Sequence, residues 1–277
     1  MSRWVGYAVM AFCFAIGIGM LFTWISRGRA MQDRANAQNS LRELALFGQV
    51  FETTDQGKQH KKDSRVVNGI LPGTISNDAL TPEQRLSWVV LELEWFNQKR
   101  QNTGALRLAI RTDLAWDAEP NLPPGRTVLR NLICGASVPN VAAGEPAVTQ
   151  FVGLAGLGTN GAMLPATDRR AGAFRYDGAT PFDAFTDGIS NTILLGETNA
   201  NLGAWIRGGP STVRGLDDSI GAKAFIGIGG QFGGIHAHGA NFAFADGSQK
   251  FLTEMTNPGV LKAFCTLAGG TAEFVGE

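Results

Sequence analysis

Two of the chain's three histidines lie one residue apart, in the stretch GGIHAHGANFAFADGSQKFL at residues 233–252. If this stretch is a strand, the rings of His236 and His238 lie on the same face, where together they could bind a metal ion. Asp246 could add a carboxylate ligand. One hypothesis is therefore a metal-dependent hydrolase that uses His236, His238 and nearby carboxylates.

The second half of the same stretch has an architectural interpretation. NFAFA alternates in polarity, Asp246-Gly247 is a strong signal for a two-residue hairpin turn with Gly247 at positive φ, and QKFL predicts the returning strand. Such a turn places Phe242 opposite Phe251, with Phe244 on the same face, and we expect this face to be buried against the N-terminal helix. Turn chemistry accounts for Asp246 and leaves only two metal ligands. We therefore predict no metal ligand, no cofactor-binding residue and no catalytic residue.

Residues 156–161, GLGTNG, match the G-x-G-x-x-G pattern of dinucleotide-binding loops and follow the strand-like TQFVGLA. In such a site a helix comes next and binds the pyrophosphate at its N-terminus. Here Pro165 lies where that helix would form. The sequence does not favour nucleotide binding.

A serine hydrolase is not favoured either. The pattern G-x-S-x-G is absent, and Ser190 in DGISNTILLGE has no histidine near it in sequence. Asp187-Gly188 instead predicts a turn that starts a strand at Asn191, in a motif that ends at Glu197.

Composition limits the class of protein. Lys plus Arg and Asp plus Glu balance at 24 each, so no nucleic-acid partner is expected. Gly is abundant at 36 residues and charged residues make up 17 % of the chain, which favours sheet and loop over a helix bundle.

The N-terminal segment predicts a membrane anchor over residues 1–29. Val5 to Ile25, VGYAVMAFCFAIGIGMLFTWI, carries no charge over about 21 residues, the length that a helix needs to cross a bilayer. Trp4 and Trp24 lie at its ends, where amphipathic rings favour the membrane interface. The apolar run is longer than that of a typical signal peptide, and no small-x-small cleavage site follows it. We therefore expect the anchor to be retained.

Beyond the anchor, we predict one domain over residues 30–277, with a stalk helix at 30–52 and a head at 53–277. Apolar residues recur at helical spacing in the stalk, which indicates a half-buried helix. They are Leu41, Leu44, Ala45, Val50 and Phe51. GKQHKKDSR at residues 57–65, which contains His60, predicts an exposed loop.

Within the head, a second helix is predicted from Thr81 to Gln98, with Pro82 in its first turn and Gln84 completing a capping box. Short strands are predicted at LRLAI, TVLRNLI, TQFVGLA, NTILLGE, NFAFA and QKFL. Cys134 and Cys265 could pair in an exported domain, but their spacing does not decide this.

The ordered set of segments resembles a prepilin-type family of unknown function, named for a C-terminal H-x9-D-G domain. Nine residues separate His236 from Asp246-Gly247, and TDGISNTILLGE is similar to that family's D-G-T-S-N-T-I-L-x-G-E. RANAQNSLRELALFGQVF, LSWVVLELEWFNQ, NLICGASVP, TQFVGLAGLG and KAFCTLAGGTAEFVGE resemble its other segments, so the resemblance covers about residue 34 to the end. The signature residues, to which the resemblance assigns a structural role, are His236, Asp246, Gly247, Asp187, Gly188, Ser190, Asn191 and Glu197.

The resemblance implies a pilin-like α+β fold, in which a long N-terminal transmembrane and stalk helix packs on a largely antiparallel β-sheet head with Gly-rich loops. It implies a single-pass protein of the cytoplasmic membrane, with the C-terminal domain on the extracytoplasmic side. The role would be structural or binding, as a minor pilin or a secretion-associated subunit. Expected partners are membrane lipid and other pilin-like subunits, without nucleic acid, nucleotide or cofactor. The alternative is the hydrolase that uses His236 and His238.

Two features of the N-terminal region depart from what the family implies. Arg27, Arg29 and Arg34 follow the span while only Arg3 precedes it, so the positive-inside rule taken alone places the body in the cytoplasm. The family usually begins with a basic leader and G-F-T-L-V-E, whereas this chain begins MSRWVGYAVMAF. Prepilin-peptidase processing and filament assembly therefore do not follow from the resemblance.

Overall fold

The structure is a computed structural model and describes residues 3–49, 69–94 and 103–270. The helices are α1 (Arg3–Gln49), α2 (Val89–Glu92), α3 (Thr103–Ala109), α4 (Leu122–Gly125) and α5 (Pro258–Cys265). The strands are β1 (Gly69–Ile70), β2 (Val148–Thr149), β3 (Phe151–Leu157), β4 (Thr180–Pro181), β5 (Ile193–Glu197), β6 (Gly203–Ala204), β7 (Val213–Leu216), β8 (Gly239–Phe244) and β9 (Gln249–Thr253).

The N-terminal helix α1 is continuous from Arg3 to Gln49. Its C-terminal part buries a stripe at helical spacing, formed by Ala37, Leu41, Leu44 and Ala45, and packs across β8 with further contacts to β5 and β9. The predicted stalk helix is confirmed up to Gln49. Val50, Phe51 and the predicted loop containing His60 lie outside the described residues. Within the described ranges, no helix meets the length and hydropathy expected of a membrane span.

The central sheet has five strands in the order β7-β3-β5-β8-β9. Only the edge pair β3–β7 is parallel, with Gly153 opposite Val213, and the other neighbours are antiparallel. The three central strands are buried along their whole length because helices cover both faces of the sheet. The α+β class with a long helix on a mostly antiparallel sheet is therefore confirmed.

The two faces of the sheet carry different side chains. Small residues of β8 and the residue after it, Ala243 and Ala245, belong to the same core as Leu41 and Leu44 of α1. The large rings of Phe242 and Phe244 belong to the opposite core, and this second core also contains residues of α5 and β3. Small side chains on one face let α1 approach closely, and aromatic rings fill the other face.

The β8–β9 hairpin corrects the predicted register. The hairpin pairs Phe242 with Lys250 and Asn241 with Phe251, because the loop has three residues, Ala245 to Gly247, instead of two. Gly247 has φ +83°, as predicted, but it closes a three-residue loop of the type in which a left-handed glycine follows a turn. The slip of one residue places Phe251 on the opposite face of the hairpin from Phe242 and Phe244, and Phe251 is on the α1 side, where Arg34 lies 3.6 Å from its ring centroid. The prediction that this aromatic face packs on the stalk helix is wrong for Phe242 and Phe244, which belong to the core on the α5 side, whereas Phe251 does contact α1.

Several predicted elements differ from the structure for tertiary reasons. In the region of the predicted second helix, only Val89–Glu92 is α-helical and residues 95–102 are outside the described ranges. One hydrogen bond of the predicted capping box is present, since Thr81 N donates to Gln84 Oε1 at 3.0 Å. Ser87 N, however, donates to Ile206 O at 2.9 Å and so pairs with a distant segment of the chain. LRLAI lies mostly in α3, and TVLRNLI contains a 3-10 turn at Arg130–Leu132. The sequence did not predict β7 or α5.

Candidate functional site

The signature residues occupy the two ends of a pair of neighbouring strands. β5 begins just after the turn at residues 187–191 and ends at Glu197, while β8 lies between His236 and Asp246. Because β5 and β8 are antiparallel, the start of one strand lies beside the end of the other. In each motif, the number of residues between the signature positions therefore reflects the length of one strand. The motif at residues 187–197 and the motif at residues 236–247 lie beside each other at both ends of the strand pair.

At one end lies the turn that was predicted from Asp187-Gly188. Gly188 has φ +91°, and Asn191 Nδ2 donates to Asp187 O at 2.9 Å. The side chain of Asp187 accepts a hydrogen bond from Gly270 N at 3.0 Å and so ties the C-terminal segment to the turn. Ser190 is exposed. These residues form a structural turn.

The hairpin loop packs against the same turn. Asp246 N donates to Ile189 O at 3.1 Å, and the Asp246 carboxylate accepts a hydrogen bond from Ser248 N at 2.8 Å. Asp246 and Gly247 thus shape the loop and lie at the opposite end of β8 from His236. Asp246 does not join the histidines.

At the other end, three side chains that are far apart in sequence converge. His236 Nε2 lies 3.0 Å from Glu197 Oε1 and 3.6 Å from Cys134 Sγ. The potential ligand atoms of the three residues all lie within 4.8 Å of one another. The Glu197 side chain is fully buried, and that of His236 is 8 % exposed. We call these three residues the Cys-His-Glu cluster.

Hydrogen bonds from the sheet and from α1 hold the glutamate. Asn241 is buried and donates to Glu197 Oε2 through both its backbone N, at 3.0 Å, and its Nδ2, at 2.8 Å. Gln38 of α1 in turn donates to Asn241 Oδ1 at 3.1 Å. The other carboxylate oxygen, Oε1, is buried and has no partner that satisfies hydrogen-bond geometry, although His236 Nε2 is close.

The loop that carries the cysteine is held separately. Cys134 N donates to Gln150 Oε1 at 2.7 Å, and Gln150 Nε2 donates to Ser137 O at 2.8 Å. Desolvation by burial raises the pKa of the Cys134 thiol to about 12, and the negative charge of Glu197 adds to this rise. Without a cation nearby, Cys134 is therefore a neutral thiol at physiological pH.

A cleft of about 450 Å³ opens beside His236. Helix α1 lines one side, from Phe22 to Asp33, and Ala136 with residues 235–237 lines the other. The close approach of helix and loop is visible at Gly135, where an added Cβ would lie 3.5 Å from Asp33 Oδ1. The cleft thus reaches the edge of the cluster at His236, while Cys134 and Glu197 lie behind it and are buried.

His238 takes no part in the cluster. It lies outside β8 at φ +61°, its side chain is 82 % exposed, and its Nδ1 is 3.0 Å from Glu254 Oε1. The proposed pairing of His236 and His238 on one face of a strand is therefore not seen. Cys134 and Cys265 are both free, and Cys265 belongs to the core on the α5 side of the sheet.

The loop GLGTNG lacks the helix of a dinucleotide site. It is followed by a 3-10 turn, Gly161–Met163, before Pro165. Gly156 has φ +94°, and a Cβ there would lie 1.9 Å from Arg170 O, so close backbone packing accounts for this glycine.

Sequence spacing did not reveal the Cys-His-Glu cluster. Cys134 and His236 are 102 residues apart, and no local pattern links either of them to Glu197. The available signal was that each residue lies in a segment of the family resemblance: NLICGASVP, TDGISNTILLGE and the H-x9-D-G stretch.

The comparisons with known proteins identify a family. A family described as a protein of unknown function (DUF1559) matches residues 71–225, which is more than half of the chain and includes Cys134 and Glu197. No curated protein and no solved structure matches the chain.

Proposed function

We propose that this chain, which belongs to the DUF1559 family of proteins of unknown function, is a membrane-anchored, pseudopilin-like structural or binding protein with its head on the extracytoplasmic side. The observation that carries the proposal is the division of α1 into two parts. Its C-terminal part buries a stripe against the head, whereas its N-terminal part leaves large apolar side chains exposed.

The exposed apolar surface is too extensive for a helix in water. The large side chains exposed between residues 4 and 25 include Trp4, Tyr7, Met10, Phe12, Phe14, Ile16, Ile18, Met20, Leu21, Phe22, Trp24 and Ile25. Soluble monomers rarely expose contiguous apolar patches beyond a few hundred Å². Lipid can cover such a helix because the helix satisfies its own backbone hydrogen bonds. Residues 4 to 25 extend over about 33 Å at 1.5 Å per residue, close to the thickness of a hydrocarbon core.

A structural or binding role, as a minor pilin or a secretion-associated subunit, fits this division and the resemblance to prepilin-type proteins. One long helix anchors the chain and also forms part of the head core, so the head is displayed at a fixed distance from the lipid. A hydrolase that uses His236 and His238 has less support, because the two rings have different partners and different exposure.

Membrane fractionation tests the proposal. The full chain is expected in the alkali-resistant membrane pellet, and a chain lacking residues 1–29 is expected to be soluble and folded. Phe14→Arg combined with Ile18→Arg should weaken membrane retention, since each arginine near the centre of a span costs about 2.5–3.5 kcal/mol. Val138→Arg, at a position 71 % exposed on the head, is the matched control and should leave retention unchanged.

The truncated chain gives the decisive result. If it stays in the membrane pellet while folded, or if the double arginine variant is retained as well as the control, α1 is not the membrane anchor.

A further inference from the structure

We propose that Cys134, Glu197 and His236 form a binding site for a single zinc ion at the base of the head. This inference goes beyond the proposed anchoring role and does not depend on it. It starts from the convergence of a thiol, a carboxylate oxygen and an imidazole nitrogen within 4.8 Å. Mixed sulfur, nitrogen and oxygen ligands are typical of zinc sites.

The arrangement of the three side chains differs from that of a catalytic triad. In a nucleophile–histidine–carboxylate relay, the nucleophile and the carboxylate contact opposite nitrogens of the ring. Here Cys134 Sγ and Glu197 Oε1 both lie next to the same atom, His236 Nε2. Because the sulfur, the carboxylate oxygen and the ring nitrogen lie next to one another, all three could bind the same cation.

The two distances from His236 Nε2 are close to those of zinc coordination. Zinc bonds of about 2.3 Å to sulfur and about 2.0–2.1 Å to nitrogen, at a tetrahedral angle, place the two ligand atoms about 3.5 Å apart. The observed separation of Cys134 Sγ and His236 Nε2 is 3.6 Å. His236 Nε2 and Glu197 Oε1 are 3.0 Å apart and would separate by a few tenths of an ångström when both bind the ion.

A second, independent observation is the state of Glu197. One of its oxygens is held by Asn241, while the other, Oε1, is buried, has no partner that satisfies hydrogen-bond geometry, and lies 3.0 Å from His236 Nε2. A buried carboxylate oxygen without a well-aligned partner is costly, and a metal ion shared with His236 and Cys134 would satisfy it. On binding, Cys134 releases its thiol proton to solvent, and one thiolate and one carboxylate neutralise the two charges of Zn²⁺.

The surroundings of the site provide access and support. The cleft along α1 reaches His236 and supplies a path for the ion and for a fourth ligand. The chain from Gln38 through Asn241 to Glu197 orients the carboxylate, as hydrogen-bonded outer partners do in known metal sites.

Cobalt and zinc titration of the full chain, purified in detergent and stripped of metal, tests the site. The variant Cys13→Ala/Cys265→Ala leaves Cys134 as the sole thiol, since the chain has three cysteines. Adding Co²⁺ to this variant should give a thiolate-to-cobalt charge-transfer band that saturates at one equivalent. Zn²⁺ should then displace the cobalt and raise the melting temperature, and EDTA should reverse both changes.

Variants of the surrounding residues give matched comparisons. His236→Ala should weaken zinc binding at least about 100-fold, and Asn241→Ala, which removes an outer partner, about 10–100-fold. His238→Ala is the control and should bind as the parent does. The proposal is overturned if the Cys13→Ala/Cys265→Ala chain is folded by circular dichroism but gives no thiolate-to-cobalt band. It is also overturned if that band survives the further change Cys134→Ser. An unchanged affinity in a folded His236→Ala variant also overturns it.

Discussion

The packing of Phe244 gives a prediction about which face of the sheet its ring occupies. Phe244 is fully buried, and its ring meets that of Phe264 edge-on, with centroids 5.3 Å apart and an interplanar angle of 83°. Lys250 Nζ lies 4.2 Å from the centroid of the Phe244 ring. Phe244→Ala is expected to lower the free energy of unfolding by about 3–5 kcal/mol, the usual cost of deleting a fully buried ring.

A double-mutant cycle separates this packing from the alternative in which Phe244 packs against α1. Phe244 and Phe264 should show a coupling energy of about 0.5–1.5 kcal/mol, the value typical of an aromatic pair. Phe244 and Leu41 lie in different cores, so their changes should add within about 0.5 kcal/mol. Unfolding in urea, followed by the fluorescence of buried Trp88 and Trp205 in the detergent-purified chain, measures these energies. Coupling to Leu41 without coupling to Phe264 would refute the placement of Phe244 on the α5 face of the sheet.

Three further predictions concern single residues, each measured by the same urea unfolding. Gly247→Val should cost about 1–3 kcal/mol, because φ is +83° there, and Gly247→Asn should cost less; equal costs would contradict this reason. Burial raises the pKa of Glu92 well above its ordinary 4.5, so this carboxyl group ionises at a lower pH in the unfolded chain than in the folded one. As the pH rises above about 4.5, the free energy of unfolding should therefore fall by about 1.4 kcal/mol per pH unit until the folded group also ionises. Glu92→Gln should remove this slope and be more stable at pH 7, and a variant that retains the slope would assign it elsewhere. His238→Ala should change stability by less than about 0.5 kcal/mol, since the side chain is exposed, and a larger loss would mean that its contact with Glu254 is structural.

Periodicity predicted the parts of the fold that local pattern determines. The stripe containing Leu41 and Leu44 identified the buried face of α1, and the runs TQFVGLA, NTILLGE, NFAFA and QKFL identified β3, β5, β8 and β9. These segments keep their local preference because their apolar residues match the faces that the fold buries.

The failures occurred where a distant contact overrides local preference. The helix predicted from Thr81 does not continue, because the backbone of Ser87 and Trp88 pairs with Ile206 and Gly73. The hairpin loop contacts a distant segment, since Ala245 N donates to Thr192 O at 2.9 Å, and the sequence of the loop does not encode this contact. The one-residue difference in loop length then places Phe251 on the opposite face from Phe242 and Phe244.

The candidate site was partly visible in the sequence. His236 and Glu197 were singled out as signature residues, and the structure places their side chains 3.0 Å apart. Cys134 could not be added to them from spacing, because its position beside His236 depends on the loop that Gln150 holds. His238, which is adjacent to His236 in the H-x-H pattern, points elsewhere.

The most direct test of the membrane-anchored, extracytoplasmic reading is the side of the membrane on which the head lies. Alkaline phosphatase and a cytoplasmic fluorescent reporter are each fused to the C-terminus of the full chain, because the phosphatase folds actively only after export. The proposal predicts an active phosphatase fusion and a dark reporter fusion, against the count of arginines around the anchor. An inactive phosphatase together with a bright cytoplasmic reporter at the same site would contradict it.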